Sequence, residues 1–278
     1  MNLIRIFSES KTARHFWVLD HPIAHRGLFD TDRGIPENSL AAFQRALAKG
    51  YAIELDVRLL ADGGVAVFHD QDLERMTGEK GPVHRLETAQ FRQLRLIHDH
   101  QPPPLLQDVF DLAGDRGKIL VEIKDPTPLL AQAVVQVATT YRGRWAALSF
   151  HARSIGWFAR NHPGITRGLN GGVFETDVPF LASLAIRTFA HAAWARPHFL
   201  GCRIDSLKDP LPRWFRRCGM PVVAWTARSE EDWKKAEQDA DAVIFEEKNS
   251  FTIPSAVTEE ARTATPQGWC AACDSGAE

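Results

Sequence analysis

Two histidines close short apolar runs, Ala24-His25-Arg26-Gly27 and Phe68-His69-Asp70, and between them lies the acidic segment Ile53-Glu54-Leu55-Asp56-Val57. In an extended chain successive side chains alternate faces, so Glu54 and Asp56 share one face while Ile53, Leu55 and Val57 take the other. A third acid, Glu122, stands in Leu120-Val121-Glu122-Ile123-Lys124 on the same face as Lys124. Carboxylates without cysteine nearby are hard oxygen donors, and Glu54, Asp56 and Glu122 together suit Mg²⁺ or Ca²⁺ rather than zinc. A structural reading stands beside this one. Arg58 shares the face of Glu54 and Asp56, and Lys124 that of Glu122, so interior ion pairs would also account for the acids. Histidine exchanges protons in both directions near neutrality, which makes His25 and His69 a candidate acid/base pair. Arg26 offers a planar guanidinium for a bidentate grip on phosphate, with a surface salt bridge as the alternative, and Gly27 lets the backbone pass close to a ligand. Hard metal, phosphate clamp and two histidines together describe chemistry at a phosphodiester.

These residues need elements that bring them together. After Pro22 strand-like and helix-like runs alternate, which predicts a parallel α/β sheet. Strands are expected near 22–26, 52–59, 65–69, 118–124, 145–150, 165–170, 199–205, 221–226 and 241–246, and helices near 38–49, 105–113, 129–141, 152–161, 179–195, 209–218 and 229–238. Asn38 or Ser39 caps the first helix and Ser229 the last. Nine strands are one too many for an eight-stranded barrel, and Asp62-Gly63 reads as a tight hairpin turn that folds 65–69 back antiparallel. With those two residues as the turn, Ala61 pairs with Gly64 and His69 falls opposite Asp56. The expected architecture is a (β/α)8 TIM barrel with a hairpin extension after its second strand and its site at the strands' C-terminal ends. A doubly wound open sheet is the second choice. From about 70 to 104 the alternation fails, which reads as an insertion over the barrel mouth with a short helix near Thr88–Leu94.

Composition frames the rest. The 278 residues fit one domain over 1–253, followed by a disordered tail over 254–278. A net charge of −2 gives no general pull toward nucleic acid or anionic membrane, and no apolar stretch is long enough to span a bilayer, so the reading is cytoplasmic with no integral membrane association. Cys202 and Cys218 are expected buried and reduced, and Cys270-x-x-Cys273 lies in the tail with no second pair to complete a zinc site. The oligomeric state is left open.

The ordered set His25-Arg26-Gly27, Pro36-Glu37-Asn38-Ser39, Glu54-Leu55-Asp56, Asp62-Gly63, His69-Asp70, Thr77-Gly78 and Glu122-Ile123-Lys124 closely resembles the glycerophosphodiester phosphodiesterase family, over about 22–246. The resemblance implies a barrel of the phosphatidylinositol phospholipase C kind, one divalent cation, and hydrolysis of small glycerophosphodiesters to glycerol 3-phosphate and an alcohol. It matches Glu54, Asp56 and Glu122 to metal ligands and His25 and His69 to the catalytic pair. Arg26 and Lys124 match phosphate contacts, Glu37 and Asn38 a supporting substrate-binding motif at the head of the first helix, in which Glu37 reaches the metal or an outer-shell water, and Trp225 the alcohol pocket. The chain departs from the family pattern at Arg228, where asparagine is usual, and at Asp239-Ala240-Asp241-Ala242 with Phe245-Glu246, in place of a glycine-rich turn and Thr-Asp. Three other readings are a lysophospholipase D or sphingomyelinase D-like enzyme on a single-chain lipid, a non-catalytic phosphate-binding module, and a barrel whose acids are purely structural.

Overall fold

A computed structural model describes residues 17–171, 184, 189–247, 251 and 253. The strands are β1 (Ile23–Ala24), β2 (Ala52–Leu59), β3 (Val65–Val67), β4 (Lys118–Ile123), β5 (Arg144–Ser149), β6 (Thr166–Gly171), β7 (Phe199–Arg203), β8 (Val222–Ala227) and β9 (Ala242–Phe245). All but β3 run parallel, and the sheet closes because β1 pairs with β9 on one side and β2 on the other. The result is the eight-stranded barrel expected, with β3 as the antiparallel extra. Strand β2 is long enough for both partners on one edge: its start pairs with β1, through Ile23↔Ala52, and its end with β3, through Val57↔Val67.

Helices α1 (Leu40–Ala48), α4 (Leu106–Ala113), α5 (Pro128–Ala138), α6 (Ala152–Asn161), α8 (Pro210–Arg217) and α9 (Glu230–Asp239) follow their strands, and α2 (Glu74–Thr77), α3 (Thr88–Phe91) and α7 (Ala192–Ala195) are single turns. Ser39 and Ser229 cap α1 and α9, each Oγ accepting from the backbone N–H three residues on at 3.1 Å. Of the helix expected over 179–195, Ala192–Ala195 is helical and most of the remainder lies outside the described residues, as does the 254–278 tail with Cys270 and Cys273.

Strand alternation sorts the core. Ile53, Leu55 and Val57 pack outward with Phe43, Val121 and Ile123 under the helices. Ile23, Ala52, Leu120, Leu148, Phe199, Val223 and Ile244 fill the barrel interior instead. Gly168 makes space for that filling, since a Cβ there would lie 2.2 Å from the Phe199 ring. The inward-facing acids Glu54, Asp56 and Glu122 stand above this apolar plug, toward the C-terminal ends of the strands.

The insertion between β3 and α4 carries a small core of its own, in which Leu73, Met76, Val83, Phe91 and Leu96 pack on Leu60 and Phe68. It also corrects the hairpin register. The loop has three residues, Ala61-Asp62-Gly63, closed by Leu60 N–H to Gly64 O at 2.8 Å, with Gly63 at φ +89°. Phe68, not His69, thus donates its N–H to Asp56 O, at 2.9 Å. The physical reason lies in the insertion: Ala61 N–H donates to Leu86 O at 2.9 Å, and the Asp62 carboxylate accepts from Thr88 N–H at 2.9 Å and from Thr88 Oγ1 at 3.0 Å. These bonds hold the loop open by one residue.

Candidate active site

Three carboxylates converge at the C-terminal end of the barrel. Glu54 and Asp56 project inward from β2, and register sets Asp56 beside Glu122 of β4. One oxygen from each of Glu54, Asp56 and Glu122 lies within 4.8 Å of the others, and the residues are 1%, 0% and 6% exposed. Asp56 is held by cations and an amide. Lys124 Nζ lies 2.9 Å from its Oδ1, Arg26 Nε 3.1 Å from its Oδ2, and Asn38 Nδ2 donates to Oδ2 at 2.9 Å. Burial alone would raise its pKa, but Lys124 and Arg26 more than offset this and hold it far below the carboxylate range. Glu54 is the opposite case. Burial, then Asp56 and Glu122, push its pKa well up, and its Oε1 has no hydrogen-bond partner. An orphaned, buried oxygen inside a carboxylate triad is the environment a hard divalent cation relieves, so these residues fit Mg²⁺ or Ca²⁺.

Both histidines face this cluster. The closing pair Ala24↔Phe245 puts His25 beside Glu246, whose Oε1 is 2.8 Å from His25 Nδ1, while Nε2 lies 3.9 Å from Glu54 Oε2. His69 stands beyond the end of β3, where Arg58 donates from Nε and Nη2 to its carbonyl at 2.9 and 2.6 Å, and its Nδ1 is 2.7 Å from Asp70 Oδ1. An ionised carboxylate can only accept, so Nδ1 carries the proton in both rings and each Nε2 is left to exchange one. Burial, together with Lys124 and Arg26, lowers the His69 pKa despite the opposing pull of Asp56, and so favours the neutral ring.

The remaining expected residues take up supporting positions. Lys124 bridges Asp56 and Glu122, the latter at 2.8 Å, and its pKa rises although burial opposes it. Arg58 does not join the triad; it meets Asp125 at 3.4 Å. Arg26 is tied to Glu37 through Nη1 at 2.7 Å, and its N–H donates to Glu54 Oε2 at 3.0 Å. Glu37 accepts from both Arg26 and Arg75, so it lies between two guanidiniums rather than among the triad's oxygens. Asn38 places Asp56: besides its Nδ2 bond, its Oδ1 accepts from Asp56 N–H at 3.4 Å. Gly27 serves packing. At φ +79°, a Cβ there would lie 2.8 Å from the Ala42 backbone carbon, so glycine is required for α1 to approach β1. Trp225 meets Phe150 edge to face at 5.6 Å.

The family model described as "Glycerophosphoryl diester phosphodiesterase family" matches residues 25–247. A glycerophosphodiester phosphodiesterase of Caldanaerobacter subterraneus subsp. tengcongensis is 36% identical over 226 residues, covering 77% of this chain and 88% of that protein. The chain belongs to the glycerophosphoryl diester phosphodiesterase family. Solved structures agree on the fold of these phosphodiesterases. That of Thermotoga maritima superposes with TM-score 0.63 at 25% identity, covering 84% of this chain and 96% of that one. A phosphodiesterase of Oleispira antarctica, in complex with the product sn-glycerol-3-phosphate, gives 0.68 at 20%, covering 87% and 97%.

As an enzyme of this family the chain shows where its two departures lead, because they touch. Arg228 donates from Nε and Nη2 to the two oxygens of Glu246 at 2.7 and 2.8 Å, behind His25. Sequence reasoning noted both residues and gave neither a role; the available signal was that the last strand of a closed barrel must lie beside the first. Arg75 holds Asp70 behind His69 in the same way, at 2.5 Å from Nε. Burial opposes ionisation of Glu246, but the hydrogen bonds from His25 and Arg228 lower its pKa. A lowered carboxyl stabilises the fold above its ordinary value and loses that contribution as pH falls toward the lowered one. Arg228→Leu should therefore move acid unfolding to higher pH, followed by circular dichroism, while costing no more than about 1 kcal/mol at pH 7 because the guanidinium is half exposed.

Proposed function

We propose that the chain cleaves small glycerophosphodiesters such as glycerophosphocholine, the deacylated forms of phospholipids, to glycerol 3-phosphate and an alcohol. The supporting observation is two histidines turned toward one buried carboxylate triad, each with Nδ1 tied to an acid and Nε2 left for proton transfer. Glu54, Asp56 and Glu122 would hold one divalent cation, Mg²⁺ or Ca²⁺, which when bound supplies Lewis-acid stabilisation of charge at the phosphate. Arg26 and Lys124 add fixed positive charge beside the phosphate oxygens in a site shielded from water. One histidine takes the proton from the attacking oxygen and the other protonates the departing alcohol oxygen. Kinship with the phospholipases C favours the glycerol 2-hydroxyl as attacker, with water then opening the cyclic phosphate.

The groove beside His69 bears on substrate class. It is open to solvent, has about 600 Å³ and is lined by the charged and polar residues Arg58, Asp70, Gln71, Asp72, Glu74 and Arg75, which suits a water-soluble alcohol. Among the described residues no helix is long and apolar enough to cross a membrane. With a divalent cation present, purified protein should release glycerol 3-phosphate from glycerophosphocholine and leave lysophosphatidylcholine intact. Choline release from the lysolipid alone would overturn the proposed substrate, and no release from either would overturn the catalytic reading.

Cation binding itself should be visible in stability. At a hundredfold excess over Kd a cation bound only by the folded chain adds about 2.7 kcal/mol, so melting should shift upward with added metal and return with chelator.

A further inference from the structure

Above the apolar plug, β6, β7 and β8 build a second polar feature that the catalytic reading leaves unused. Register steps from Glu122↔Leu148 and Leu148↔Gly168 carry Asn170 to the level of Lys124 and Phe150, at the barrel mouth. Asn170 is 2% exposed, and its Oδ1 has no hydrogen-bond partner. The indole Nε1 of Trp225 is likewise buried and unpartnered. The two flank one glycine. Gly201 pairs in register with Asn170, and a Cβ on it would lie 1.9 Å from Asn170 Oδ1 and 3.4 Å from Trp225 Nε1. Glycine at 201 is thus what admits the amide to the interior.

A buried acceptor and a buried donor left open side by side cost stability unless something meets both. A hydroxyl does so, donating to Asn170 Oδ1 and accepting from Trp225 Nε1. We infer that Asn170 and Trp225, over Gly201, form a subsite for the terminal hydroxyl of the substrate's glycerol. The inference rests on the proposed phosphodiesterase reading, in which the 2-hydroxyl is engaged in attack and the terminal one remains to be recognised. The subsite makes glycerol recognition polar on a face otherwise lined by Phe150 and the Trp225 ring.

The test compares inhibition of glycerophosphocholine hydrolysis by glycerol 3-phosphate and by 2-hydroxypropyl phosphate, which lacks only the terminal hydroxyl. Wild-type protein should favour glycerol 3-phosphate by about tenfold or more, as expected for one or two hydrogen bonds. Asn170→Leu, which replaces the amide by a branched apolar group, and Trp225→Phe, which removes the indole N–H, should each bring the ratio close to one. Asn170→Leu should also melt no lower than wild type, because it removes an orphaned acceptor; this separates a recognition role from a structural one. Equal inhibition of wild type by both phosphates, or an unchanged ratio in both variants, would overturn the inference and point to a resident water. Wild-type protein without hydrolysis would instead remove the phosphodiesterase reading on which it rests.

Discussion

Glu54→Gln and Asp56→Asn are expected to move the stability of the metal-free protein in opposite directions while both abolish turnover. The two carboxylates are neighbours on one strand face, yet their surroundings differ. Glu54 is fully buried, repelled by Asp56 and Glu122, and its Oε1 is unpartnered, so a neutral amide relieves the fold. Its Oε2 bond from Arg26 N–H survives, because a glutamine oxygen accepts equally well. Asp56 is the anion that Lys124 and Arg26 are folded around. Neutralising it leaves two buried cations short of a partner, a loss of about 3–5 kcal/mol by analogy with broken buried pairs. Melting of metal-free samples should place Glu54→Gln at or above wild type and Asp56→Asn well below. Neither variant should show the upward shift with divalent cation. If both melt below wild type by similar amounts, the acids are structural ion pairs and not a metal site.

His25→Ala and His69→Ala should each lower kcat by about 10²- to 10⁴-fold, the usual contribution of a positioned acid or base. Little of this should come from unfolding. Each ring is joined to the protein chiefly through one Nδ1 bond, and the acids behind them keep Arg228 and Arg75 as partners. Combining the two changes should cost less than the product of the single effects, because a proton taken without one delivered completes no turnover. Near-wild-type turnover in either single variant would remove that residue from the mechanism.

The parts of this site written in local pattern were legible before the fold. Alternation in Ile53-Glu54-Leu55-Asp56-Val57 placed the acids on one face, and strand ends placed His25 and His69 at the barrel mouth. What sequence concealed depends on contacts between distant segments. The hairpin slipped by one residue because Asp62 binds Thr88, 26 positions away. Glu246 supports His25 across 221 positions, a pairing that exists only once the barrel closes. Asn38 and Glu37, matched by resemblance to a supporting motif, bond to Asp56, Arg26 and Arg75, partners that only the folded barrel brings to them. Asn170 gave no signal at all, because its burial is a consequence of Gly201 one strand away.

The central claim is that one divalent cation held by Glu54, Asp56 and Glu122 is required for cleavage of a glycerophosphodiester. Its most direct test is the titration of metal-stripped protein with Mg²⁺, Ca²⁺ or Mn²⁺ while glycerol 3-phosphate release from glycerophosphocholine is followed, with Glu54→Gln alongside. The account predicts no release before metal, saturation with one cation bound per chain, and none from Glu54→Gln at the same concentrations. Undiminished release in excess chelator, or wild-type turnover by Glu54→Gln, would contradict it.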